Sequence, residues 1–250
     1  MRTHATAQHT GTDPGQCDVT AVRTVDGTRA YVLLDGIGRR ESTQEWALKT
    51  ARYLGRTAAR LGDAEAGLRY VYNLTRDDAI HYGRGPMAAA VVAVKAPGKP
   101  LSVAWCGDSR AYLLEQGIAI RLTDDHNKRR VYPPTAMYPH GGNRNNLTSC
   151  LGSDLDDDAV RNRYGHPAIE SKTREITGPC RLALLSDGAY EPHEDARHDL
   201  YVELADEPLT TIAREFVDLA VDTAVKTSRA LDPNRVYADN ASILLADIQP

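Results

Sequence analysis

The chain has 250 residues, 42% hydrophobic and 26% charged, a balance that suits a large buried core and excludes disordered and fibrous classes. Its 30 basic and 34 acidic residues leave a formal charge of -4, which gives no overall attraction for nucleic acid. The first residues contain no apolar leader, and no apolar run is long enough to span a bilayer, so the expectation is a cytoplasmic protein with no membrane partner.

After a polar arm of about residues 1–16, DVTAVRTV and TRAYVLL have the β-branched and aromatic content of strands, and Asp26-Gly27 between them signals a hairpin. Ser42 and Glu45 have the spacing of a capping box. Ala47, Ala51, Leu54, Ala58 and Leu61 then recur at helical steps. Asp63 is the expected N-cap of a second helix, which Gly83 and Gly85 end. MAAAVVAV, LSVAWCG, RAYLLE and IAIRLT follow as strands separated by turn formers and are expected to form a β-meander.

From Asp124 to Asn146 the pattern gives way to a polar segment broken by prolines and glycines, longer than an ordinary connection and expected to be functional. RLALLS then reads as a strand, about Leu209 to Ser228 as an amphipathic helix, and NASILLADI as a closing strand. Strand runs separated by helix runs, without regular alternation or internal repeats, indicate an α+β layered fold. The chain is read as one domain over residues 1–250. Cys17, Cys106, Cys150 and Cys180 lack metal-site spacing and read as reduced thiols.

Four aspartates share one setting, at strand ends: Asp35 in VLLDG, Asp108 in WCGDS, Asp187 in LALLSDG and Asp239 in YADNASILL. A lone Asp-Gly is ordinarily a turn former. Four carboxylates at apolar strand ends can instead converge on one rim, where a divalent cation would keep them ionised. Oxygen-only ligands favour Mg²⁺ or Mn²⁺ over zinc or copper, and such ions bind phosphate oxygens and acidify water. His126, His140, His166 and His193 show no partner spacing and are expected on the surface or in loops rather than as ligands.

LLDGIG, GDSRAYLL, LTDDHN, LTSCLGS, LLSDG and DNASILL occur in an order and spacing that resemble the metal-dependent protein phosphatases of type 2C, particularly the short bacterial members. That resemblance spans about residue 18 to the C-terminus. It implies a four-layer α-β-β-α sandwich of two antiparallel sheets flanked by helices, with two or three Mn²⁺ or Mg²⁺ ions in a cleft at one end. By the same resemblance Asp35 bridges two metals, the Gly36 carbonyl binds one, Asp187 and Asp239 complete the first site, and Asp108 joins Asp187 at a third. Asp18 falls at the Asp of the family's Glu-Asp pair, and residues 124–146 become a flap.

The implied activity is metal-dependent hydrolysis of phosphoserine and phosphothreonine in proteins by activated water. The implied partners are phosphorylated proteins and, through them, a serine/threonine kinase or its targets. The alternatives are a phosphatase of small phosphorylated metabolites and a pseudophosphatase that binds without turnover. Three departures stand out: Cys17 replaces the usual Glu, Asp13 stands where an Arg grips phosphate, and Arg39-Arg40 follow Gly38 where the family has Gly-His. Arg39 and Arg40 are therefore candidates for a relocated phosphate grip, since guanidinium forks suit phosphate oxygens, against the alternative that they are solvated or cap the following helix.

Overall fold

The structure, a computed structural model, describes residues 3–206 and 208–250. The chain runs β1 (His4–His9), β2 (Val19–Val25), β3 (Thr28–Ile37), α1 (Glu41–Leu61), α2 (Ala64–Tyr82), β4 (Met87–Lys95), β5 (Leu101–Cys106), β6 (Arg110–Glu115) and β7 (Ile118–Arg121). It continues through α3 (Lys128–Val131), α4 (Asp157–Tyr164), β8 (Glu170–Arg174), β9 (Cys180–Leu185), α5 (Asp187–Asp195), α6 (Leu200–Leu204), α7 (Leu209–Leu231) and β10 (Ala241–Ile248).

Strand β3 shows why the sequence builds layers. Successive side chains of a strand point to opposite faces. In β3 Ala30, Val32 and Leu34 face the core beneath α1 and α2, whereas Tyr31 and Leu33 face a second core between two sheets. A strand apolar on both faces needs cover on both, so one sheet, ordered β2-β3-β4-β5-β8, is sandwiched between helices and the other sheet. That other sheet, ordered β1-β10-β9-β6-β7, buries its far face under α5 and α7 through Tyr190, Phe216 and Val217. The result is the α-β-β-α sandwich, with antiparallel pairing throughout.

The β2-β3 hairpin forms at Asp26-Gly27, both at positive φ, as a two-residue turn requires. Asp63 caps α2 by accepting from the Ala66 amide at 2.8 Å. Other expectations change. The four strands β4 to β7 do not form one meander, because β4 and β5 belong to one sheet and β6 and β7 to the other. Gly107, at φ 109°, turns the chain across the sandwich between them, and so delivers Asp108 to the end of both sheets. Helix α1 begins at Glu41 with Arg40 as N-cap, ahead of the Ser42 start, and no side chain caps it. The polar arm contains β1, which pairs with β10 along an edge. All four cysteines are buried free thiols. Among the described residues no helix is long and apolar enough to cross a membrane.

Candidate active site

The aspartates are placed by strand ends. Asp35 lies near the end of β3 opposite Ala89 of β4, and Asp108 lies in the crossing from β5 to β6. Asp187 opens α5 directly beyond β9, Asp239 precedes β10, and Asp18 precedes β2. Two glycines allow these segments to crowd together. A Cβ on Gly36 would lie 2.5 Å from the Cys17 carbonyl oxygen, and one on Gly188 would lie 2.1 Å from that of Asn240.

Asp18, Asp35, Gly36, Asp108, Asp187 and Asp239 all line one cavity of about 480 Å³. Asp35, Asp108 and Asp187 each bring a carboxylate oxygen within 4.8 Å of the others. Asp18 is buried, and its Oδ2 has no hydrogen-bond partner. Ion pairs among the described residues leave Asp18, Asp35, Asp108 and Asp187 without a cationic partner.

Burial dominates the electrostatics, and mutual repulsion adds to it. Desolvation raises Asp35 well above the ordinary carboxylate range, with Asp18, Asp187 and Asp108 pushing it further. Desolvation lifts Asp108 in the same way, reinforced by Asp187. Asp18 is pushed up to about 8 by burial, although hydrogen bonding to Ser242 opposes the shift. Asp187 rises to about 6 through burial and the nearby Asp239. Carboxyls held this way are poised to exchange protons for a cation. An all-oxygen donor set with an orphaned buried oxygen fits a hard divalent ion.

The two arginines part company. Arg39 lines the cavity and its Nε lies 2.8 Å from Asp13 Oδ1, while its guanidinium sits 5.6 Å from the centre of the Tyr237 ring. The Arg39 side chain stays 60% exposed, so the pair fixes its base without covering its head. Burial and the nearby Asp239 push the Tyr237 phenol up, and Arg39 opposes the shift. Arg40 is not among the lining residues; its carbonyl accepts from the Thr43 and Gln44 amides at the start of α1. Cys17 lies behind Gly36, 2% exposed, and does not line the cavity.

Several lining residues escaped the sequence reading. Tyr237 is one. Asn240 is another: its Oδ1 accepts from the Cys17 amide at 2.7 Å, and its Nδ2 donates to the carbonyls of Thr10 and Gly15, tying the N-terminal segment to the site. The Asp-Asn pair was visible, but the long-range partners of Asn240 carry no local signal. Within the 124–146 segment Lys128, Asn145 and Asn146 line the cavity. Arg144 pins that segment to α5 through Glu191 at 2.9 Å and Asp195 at 2.8 Å.

None of the four histidines lines the cavity, and three are buried rather than on the surface. His126 pairs with Glu170 at 2.9 Å and stacks on His166. His193 stacks on Phe216 and bonds its carbonyl. Their rings are polar members of packed layers.

With this geometry in hand, the family model described as Protein phosphatase 2C matches residues 40–130. The match spans α1 to β7 and reaches Arg130, less than half of the chain. No curated protein matches the chain. Among solved structures, a Streptococcus agalactiae serine/threonine phosphatase is similar at 15% identity and a TM-score of 0.74, covering 97% of each chain. MsPP of Mycobacterium smegmatis, a PPM Ser-Thr phosphatase in complex with cacodylate, is 19% identical at a TM-score of 0.71, covering 98% of this chain and 97% of its own. PppA, a regulatory component of T6SS in Pseudomonas aeruginosa, is 20% identical at a TM-score of 0.69, with 98% and 97% covered. At these identities the likeness establishes the fold.

Proposed function

We propose that residues 1–250 act as one cytoplasmic catalytic unit that hydrolyses phosphoserine and phosphothreonine esters in the protein products of a serine/threonine kinase, using Mn²⁺ or Mg²⁺. The observation that carries this reading is the convergence of Asp35, Asp108 and Asp187 within 4.8 Å, beside the unpartnered Oδ2 of Asp18. In this reading Asp35, Asp187 and Asp239 hold the principal ions with the Gly36 carbonyl, Asp18 supports them, and Asp108 with Asp187 offers a further site. A bound divalent cation would supply Lewis-acid polarisation of phosphoryl oxygens and acidification of water.

The protein's own part is binding and orientation. Arg39, held at its Nε by Asp13 and flanked by Tyr237, presents its remaining N–H donors to the cavity, where phosphate oxygens can accept them. Asp13 therefore does not merely displace a phosphate-gripping arginine; it anchors another. Lys128 and the side-chain amides of Asn145 and Asn146 add polar donors on the flap side.

The test is hydrolysis of p-nitrophenyl phosphate and of a phosphothreonine peptide with Mn²⁺, Mg²⁺ or EDTA. Turnover of the peptide with either ion, abolished by EDTA, is the expected result. Binding of the phosphopeptide without release of phosphate would replace catalysis with a pseudophosphatase role, and turnover of small phosphate esters alone would move the substrate class to metabolites.

A further inference from the structure

Away from the acidic cavity, the outer face of α1 carries charge of the opposite sign. Lys49, Arg52, Arg56 and Arg60 are all exposed. At about 100° per residue they fall within an arc of roughly 80° on the helix. They line a groove of about 670 Å³ with Arg23 of β2 and the tyrosines Tyr53 and Tyr70.

The groove's floor is built. Gly55 is buried, and a Cβ there would lie 3.1 Å from Cγ of Arg23, so the arginine stem lies against the helix backbone. Its guanidinium donates to the Val22 carbonyl at 2.8 Å. Tyr53 and Tyr70 pack against one another with ring centres 6.3 Å apart, yet remain 45% and 49% exposed.

Its charge is unbalanced. Lys49 pairs with Glu45 at 3.6 Å, but α1 has no acidic residue after Glu45, and among the described residues Arg52, Arg56 and Arg60 form no ion pair. Two like-charge pairs at i,i+4 spacing weaken a helix. In a chain of net charge -4 this concentration of cations is local rather than a property of the whole surface.

We propose that this groove docks an acidic polypeptide segment, supplied by the phosphorylated protein substrate. The proposal rests on the phosphatase reading for its source, whereas the binding itself does not. Charge complementarity identifies the class, and the exposed tyrosines offer apolar cover for side-chain stems. The overall negative charge of the chain disfavours a long polyanion such as nucleic acid.

Geometry sets the register. Helix α1 starts just beyond Arg39 at the cavity, so its rise of about 1.5 Å per residue puts Lys49 about 12 Å and Arg60 about 28 Å along from the start. An extended peptide covers about 3.3 Å per residue, which places the acidic residues roughly 4 to 9 positions from the phosphorylated one.

The experiment has a binding arm and a kinetic arm, each with the full-length protein and with Arg52→Gln/Arg56→Gln/Arg60→Gln. In the first, fluorescence anisotropy follows labelled octaglutamate, octaglutamine and an eight-nucleotide oligothymidylate. In the second, phosphothreonine peptides with and without four glutamates at the stated positions are compared. The wild type should bind octaglutamate and not octaglutamine, and the triple variant should bind it about tenfold more weakly, as expected for three exposed charge pairs. The glutamates should lower KM without changing kcat, and the variant should lose that advantage while treating the plain peptide as the wild type does. A circular dichroism melt of the variant checks that α1 remains folded. Equal octaglutamate binding by both proteins overturns the proposal. Tighter binding of the oligothymidylate through the same arginines overturns it in favour of a polynucleotide site. If octaglutamate binding depends on the arginines but neither peptide is hydrolysed, the groove stands and the phosphatase reading fails.

Discussion

Two neighbouring clusters of buried charge are built on opposite terms. Arg110, one residue into β6 from the turn that carries Asp108, is 7% exposed and grips Asp125 with two hydrogen bonds of 2.9 Å each. It also bonds Glu194 and the Tyr112 hydroxyl and lies 3.7 Å from the centre of the Tyr190 ring. Every partner of that cation is internal. The acidic cavity has carboxylates that face one another, Asp18 and Asp108 buried and Asp35 and Asp187 half-buried, and none of these four is held in an ion pair among the described residues. Tyr190 joins the two, stacking under Arg110 and donating its hydroxyl to the Asp108 carbonyl at 3.1 Å. The difference separates a charge cluster that holds the fold together from one that waits for something to bind. A closed network loses stability when broken, whereas an open one loses function and gains stability.

The largest effect should come from the open side. Asp187→Asn removes one charge from the acidic cluster, and hydrolysis of the phosphothreonine peptide should fall by roughly a thousandfold or more, about 4 kcal/mol of transition-state stabilisation. The same change relieves repulsion in the metal-free protein. Folding raises these carboxyl pKa values, so their contribution to stability is present where they are protonated and is lost as pH rises through about 6 for Asp187 and about 8 for Asp18. In EDTA at pH 8 the variant should therefore melt about 2 to 4 °C higher than the wild type, the shift that about 1 kcal/mol produces in a chain of this size. A lower melting temperature would place Asp187 among the structural charges.

Arg110→Ala should show the reverse pattern. Removing the cation leaves Asp125 with Arg121 as its remaining cationic partner and breaks two charge-assisted hydrogen bonds, at a cost of about 1.5 to 3 kcal/mol, read as a lower urea midpoint. An unchanged midpoint would mean that the network is incidental to the fold.

Arg39 lies between the two types, paired internally yet open to the cavity. Arg39→Ala should cut kcat/KM on the phosphopeptide by about 10- to 150-fold, the loss expected of one charge-assisted hydrogen bond. Metal affinity should be unchanged. Arg40→Ala should leave kcat/KM at the wild-type value, because Arg40 meets the α1 backbone through its carbonyl alone. Equal losses in both variants would remove the distinction drawn from the Asp13 pair.

What the sequence made legible follows from how local each cause is. Asp35, Asp108 and Asp187 stand beside glycines at the ends of apolar strands, and both the turn and the close approach are written within a few residues. The two flanking helices were legible through their apolar stripes. The split of β4 to β7 between two sheets was not, because β4, β5 and β6 are buried on both faces and nothing local says which neighbour covers which face. Strand β1, with the polar sequence HATAQH, is held by pairing with β10, whose residues lie more than 230 positions away. The same distance hides Asn240, whose partners are Thr10, Gly15 and Cys17. The choice between Arg39 and Arg40 turns on which one meets Asp13, a contact that residue spacing does not encode.

The claim that the acidic cavity is an open charge cluster built for divalent cations is tested most directly by calorimetric titration of Mn²⁺ into metal-free wild type and Asp35→Asn, each in two buffers of different ionisation enthalpy at pH 7. Wild type should show saturable binding accompanied by proton release, since burial and repulsion hold protons on these carboxyls until a cation displaces them. Asp35→Asn should lose most of that binding. Mn²⁺ heats that are identical in the two proteins, or binding without buffer dependence, would contradict the account.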